Sequence, residues 1–114
     1  MKKVTLTAAL LSALLACPHI GLVGAQDMQT VELFPGCNPV ATTYDNGTSI
    51  ATIVGAVTPP EALQSIWQFE AGIWKGYSPQ FPAFAELSEV DRLDVIFICI
   101  SAAGSFERPV VAPP

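Results

Sequence analysis

Val95-Ile96-Phe97-Ile98-Cys99-Ile100 is the stretch on which the fold turns. It is apolar at every position and rich in β-branched residues, the mark of a central strand buried on both faces. Downstream, Ala102-Ala103-Gly104 turns the chain and residues 105–111 read as a last strand. Upstream, two aromatic-rich runs at 65–69 and 73–77 flank Glu70-Ala71-Gly72 and read as a hairpin with a glycine-containing turn. Ser78-Pro79-Gln80-Phe81-Pro82 cannot continue a ladder, because its prolines lack the donor N–H, and residues 84–90 are expected to hold a helical turn.

Further outward, residues 29–34 alternate polar and apolar, as a half-buried strand does, until Pro35-Gly36. Residues 40–44 read as a second strand, closed by Asp45-Asn46-Gly47, whose Asn and Gly tolerate positive φ. Asn46-Gly47-Thr48 also matches the N-glycosylation sequon, although the turn accounts for it. Ile50, Ile53, Val54 and Val57 fall at helical spacing and predict a short helix. Thr58-Pro59-Pro60-Glu61 predicts a further helical turn over 61–64, with Thr58 as cap and Glu61 completing a capping box. The expectation is a mainly β chain, a β-rich α+β fold with one or two short helices. Its five or six antiparallel strands would form a single small sheet, a sandwich or a partly open barrel, with Ile66, Trp67, Phe97 and Ile98 buried.

Lys2 and Lys3 precede an apolar run at 4–16, and Val23-Gly24-Ala25 supplies small residues before a cut at Gln26. This reads as a secretory signal peptide over 1–25, too short to span a bilayer, and places the protein outside the cytoplasm, extracellular or periplasmic. A second reading takes Leu14-Leu15-Ala16-Cys17 as a lipobox, which would anchor the protein through Cys17. Leu15 and Pro18 depart from that pattern. The remainder divides into one β-rich domain over 26–111 and a Pro-rich tail at 112–114.

That domain is near the size at which a core alone stabilises only marginally. Its basic residues, Lys75, Arg92 and Arg108, stand against ten acidic ones, a balance that repels nucleic acid and anionic lipid. Past residue 25 two cysteines remain, Cys37 and Cys99, and two readings stay open for them. A bridge would close the long loop between them and contribute about 4 kcal/mol in the chain-entropy model. Alternatively, both are unpaired core thiols.

The landmarks Leu33-Phe34-Pro35-Gly36-Cys37-Asn38, Ile66-Trp67-Gln68-Phe69-Glu70, Trp74-Lys75-Gly76-Tyr77-Ser78-Pro79 and the apolar stretch 95–100 occur in that order. Together they resemble a small module of secreted and cell-surface proteins of bacteria and archaea, built from a Pro-Gly-Trp-Asn-like turn, Trp-aromatic strands and a final apolar strand. Cys37 stands where such modules often have Trp. The resemblance implies an antiparallel, mostly β module of unassigned activity, with no catalytic residues carried over. It also implies that the opening turn packs beside the last apolar strand, where Cys37 and Cys99 can meet.

The sole histidine, His19, lies in the leader, which removes the usual general base and commonest metal ligand from the domain. Glu86, Glu89, Asp91 and Asp94 cluster, and a carboxylate pair is the equipment of glycoside hydrolysis; the bland reading is a solvated acidic face with Arg92 pairing locally. No calcium-loop spacing accompanies them, so neither metal nor cofactor is expected. Trp67, Phe69, Trp74 and Tyr77 are the candidate binding surface. In a hairpin Trp67 and Phe69 share a face while Trp74 and Tyr77 take opposite ones, so at least one large ring meets solvent; the competing role for these rings is core. The functional expectation is an exported, non-catalytic interaction or structural module whose partner is a cell-surface protein or polysaccharide. The alternative is a small carboxylate-dependent hydrolase acting on extracellular polysaccharide. Oligomeric state stays open, because an exposed edge strand can pair with another chain.

Overall fold

The computed structural model describes residues 27–111; the leader, Cys17 and the tail at 112–114 lie outside them. The elements in chain order are β1 (Met28–Leu33), β2 (Gly36–Ala41), β3 (Thr48–Ser49), α1 (Ile50–Gly55), β4 (Val57–Thr58), β5 (Leu63–Glu70), β6 (Ile73–Tyr77), β7 (Glu89–Val90), β8 (Val95–Ile100) and β9 (Gly104–Pro109). Single 3-10 turns occupy Pro60–Ala62 and Pro82–Phe84. The chain is mainly β and antiparallel, with one α-helix.

The strands form two principal sheets, β1-β9-β4 and β2-β8-β5-β6, beside a two-residue ladder of β3 with β7. The two sheets are halves of one bent ribbon. β1 continues into β2 across Phe34-Pro35, β8 into β9 across residues 101–103, and β4 into β5 across the Pro60–Ala62 turn. Neighbours are therefore the same on either side of the bend: Leu33 faces Gly104 before it and Gly36 faces Ile100 after it. Two residues on one strand oppose three on the other at the corner, a bulge that lets both strands bend together.

The corner is held by backbone proximity and side-chain hydrogen bonds. At Gly104 an added Cβ would run into the Thr58 carbonyl oxygen, so the third strand can approach only because position 104 has no side chain. Ser101 N–H donates to the Ala62 carbonyl at 2.9 Å. Asn38 closes the outer side: its Oδ1 accepts from Phe34 N–H at 3.0 Å, and its Nδ2 donates to the carbonyls of Phe34 at 2.9 Å and Ile98 at 3.1 Å.

The bend folds the ribbon over its concave face, and the core fills that space. Ile96, Ile98 and Ile100 of β8, Ile66 of β5, Leu33 of β1 and Phe106 of β9 are sealed from solvent there. Ile53 of α1, Leu87 and Val90 of β7 are buried in the same cluster.

Several details depart from the sequence reading. The second strand covers Gly36–Ala41 instead of 40–44, running through Pro39 because β2 is an edge strand and needs no donor on its free side. Thr58 caps no helix: it pairs with Ser105, and Pro59 is the N-cap of the 3-10 turn, with no side-chain cap bond. Within 84–90 the structure has the end of one 3-10 turn and the short strand β7. Val95–Ile100 is central, as expected, but its two faces differ: the even-numbered positions are all buried, whereas on the odd-numbered face Val95 is exposed, Phe97 half-buried and only the bridged Cys99 buried, because no second layer covers the convex side. Ile66 and Ile98 are buried as expected, whereas Trp67 is exposed.

Cys37 and Cys99 face each other across β2 and β8 and are bridged. The disulfide encloses a separation of 62 residues and joins the edge strand to the central one. The protein without residues 1–25 should show no titratable thiol when denatured unreduced. Reduction should lower Tm by more than about ten degrees, given about 4 kcal/mol for a loop of this length. Two free thiols would refute the bridge.

Tyr44 ties the last strand to the loop after β2, its hydroxyl donating to the Glu107 carbonyl at 2.8 Å and its ring meeting Phe106 edge-on. Burial, and secondarily the Glu107 charge, raise its pKa above the ordinary 10.0. The folded chain thus keeps the phenolic proton where the unfolded chain gives it up, and stability should fall as pH rises past about 10. Tyr44→Phe should cost about 1 kcal/mol at neutral pH and make the alkaline loss shallower, as read by denaturant titrations across that range.

Candidate functional site

Period-two alternation sends the odd-numbered side chains of β5 and β8 to the convex face of the four-stranded sheet. Pro39 of β2, Phe97 of β8, Trp67 of β5 and Gly76 of β6 are directly opposite one another and form a single row across all four strands. Phe69 and its cross-strand partner Trp74 extend the face, with ring centroids 5.0 Å apart, and Trp74 lies 5.6 Å from Phe97. Trp67, Trp74 and Phe69 are 40%, 50% and 53% exposed. No charged side chain interrupts these positions, although the chain as a whole is acidic.

Trp67 is held in place from two directions. Its ring lies over Gly76, close enough that an added Cβ would come within 2.5 Å of ring carbons. Its Nε1–H donates to Ser65 Oγ at 2.9 Å, which fixes the indole within its plane. The outer face of the ring is left to solvent with its polar atom already satisfied, the condition for stacking on a ligand.

The expected aromatic set is divided by the sheet. Trp67, Phe69 and Trp74 come together, while Tyr77, the partner of Ile66, points to the other side and packs against the core. Phe97 and Gly76 complete the face and were not singled out as surface residues in the sequence. Their period-two relation to Trp67 becomes visible only once the register is known.

The acidic residues gather elsewhere. Glu86, Glu89, Asp91 and Asp94 line one cavity of about 290 Å³ together with Gln68, Glu70 and Lys75. Much of its charge is already engaged: Asp91 Oδ1 accepts from Gly47 N–H at 2.9 Å, Asp94 Oδ2 from Asp91 N–H at 2.8 Å, and Glu70 pairs with Lys75 at 3.4 Å. Among the described residues no group of three His, Cys, Asp or Glu is placed to hold a metal ion. Arg92 reaches out of this cluster to Asp45, at 4.0 Å.

Comparison of the chain with protein-family models, with curated proteins and with solved structures finds no match. Among the described residues, no helix is long and apolar enough to cross a membrane.

Gly76→Ala should lift the Trp67 indole from its seat. The expected result is a shifted Trp fluorescence maximum and a Tm lowered by a few degrees, while Ala substituted at the open Gly55 leaves the spectrum unchanged.

Proposed function

We propose that this chain is an exported, non-catalytic interaction module that docks a cell-surface protein or polysaccharide on the convex face of its four-stranded sheet. The observation that carries this reading is Trp67, exposed yet pinned by Gly76 and Ser65 within an uncharged row that runs to Phe97 and Pro39. Rings fixed before binding lose little conformational freedom on contact, and rigid aromatic anchors dominate the energetics of interfaces. The secretory leader and the Cys37–Cys99 bridge support export, since disulfides persist in oxidising compartments. The motif resemblance to modules of secreted and surface proteins agrees with it.

A hydrolase reading rests on the carboxylates that line one cavity, of which Glu86 and Glu89 keep their oxygens free of hydrogen bonds and ion pairs among the described residues. It is the second reading, because Asp91 and Asp94 serve loop backbone and Glu70 pairs with Lys75.

Co-sedimentation with purified insoluble cell-wall polysaccharide, and with intact cells before and after protease shaving, separates the two kinds of partner. Phe69→Ala with Trp74→Ala should weaken retention by about tenfold without unfolding the domain. Retention that ignores both substitutions would remove the face from consideration. Release of reducing ends that Glu86→Gln abolishes would favour the hydrolase.

A further inference from the structure

Beside Trp67, at the outer edge of β6, lies a second cavity, of about 260 Å³, which borders both the convex face and Glu86 of the acidic cluster. Three aromatic residues from three different segments line it: Trp67 of β5, Tyr77 of β6 and Phe81 of the following loop. Ser78 and Glu86 supply its polar atoms, and Glu86 is its one charged residue. The segment carrying Glu86 is fixed to the sheet edge, since Glu86 N–H and Leu87 N–H both donate to the Gly76 carbonyl, at 3.0 and 3.2 Å.

The Glu86 carboxylate has no cationic partner among the described residues, because each basic side chain there is occupied. Lys75 pairs with Glu70, Arg92 with Asp45, and Arg108 donates to Gln29 Oε1 and the Ala41 carbonyl. Glu86 is exposed at the rim of the cavity, so its unpaired carboxylate is open to a cation arriving from solvent. Aromatic faces attract cations through their quadrupole, and the chain's formal charge of −5 draws a cation toward the pocket. A hard metal ion demands several oxygen ligands and finds one carboxylate here. A primary ammonium is strongly hydrated and resists entry among rings. An alkylated ammonium sheds water cheaply and presents methyl groups to the rings while keeping its charge for Glu86.

We propose that the Trp67–Tyr77–Phe81 pocket binds an organic cation with a methylated ammonium head, with Glu86 as its counter-ion. The site shares Trp67 with the convex face and differs from it in Phe81 and Glu86, which lie outside that face.

The test is a titration of the purified protein with choline, followed by calorimetry and Trp fluorescence, beside 3,3-dimethyl-1-butanol, its neutral isostere. Saturable choline binding is expected, with the isostere weaker by about tenfold, and Glu86→Gln and Phe81→Ala each weakening choline by about three- to tenfold at unchanged circular dichroism. Phosphatidylcholine vesicles form a second arm. Choline-competed co-sedimentation with them assigns the head group of a lipid, and choline binding without it assigns a free solute. Three results would overturn the proposal: no saturation by choline up to about 100 mM, equal affinity for the isostere, or displacement of the signal by methyl glucoside, which would make the pocket a sugar site. Loss of binding in the Phe69 and Trp74 variants with choline affinity retained would identify two separate surfaces.

Discussion

The approach of Gly104 to the Thr58 carbonyl is the constraint from which the rest of the structure follows. The central strand must stay paired on both sides while it turns the corner from β8 into β9, and at position 104 no side chain fits between it and its neighbour. Once that corner closes, Phe106 and Leu33 on one half come to share an interior with Ile98 and Ile66 on the other. The same bend explains the exposed rings. A domain of this length has one core's worth of apolar residues, the concave side takes them, and nothing remains to cover the convex side.

Where local chemistry decides structure, the sequence was readable. The hairpin of β5 and β6 turns at Ala71 and Gly72, both at positive φ, and Gly47 does the same after Asp45. The helix at Ile50–Gly55 follows from apolar spacing alone. Where a distant segment decides, the reading failed. Pro39 argues against a strand unless its strand is known to lie at an edge, and Thr58 resembles a helix cap until Ser105 claims it as a ladder partner. The apolar run at 95–100 showed a central strand but could not show that one of its faces lacked a cover.

The candidate aromatic face was legible in its residue types and not in its arrangement. Alternation correctly put Trp67 with Phe69 and set Trp74 and Tyr77 on opposite faces, because pleat geometry is local, while the register that joins Trp74 to the first pair is not. That Trp67 would be exposed depended on Gly76 lying directly across the hairpin, with room above it for an indole. The acidic run between 86 and 94 was expected to spread over a surface or a helical turn; instead a loop and a two-residue strand wrap it around one cavity, and Glu86 also reaches the aromatic pocket. Sequence distance conceals that contact, since it depends on the hydrogen bonds to the Gly76 carbonyl.

Both margins of the four-stranded sheet are poor templates for a further strand. On one side Pro39 removes a donor from the middle of β2, and the bridge to Cys99 fastens that strand to its neighbour. On the other, the Gly76 carbonyl is already taken by the chain's own Glu86 and Leu87 amides. A strand added main chain to main chain finds no clean start at either margin of this sheet, which keeps its apolar convex face apart from edge pairing. Contact at this sheet is thereby left to side chains, so the character of the surface rests on a few rings and one carboxylate, open to change by point substitution while the scaffold stays as it is.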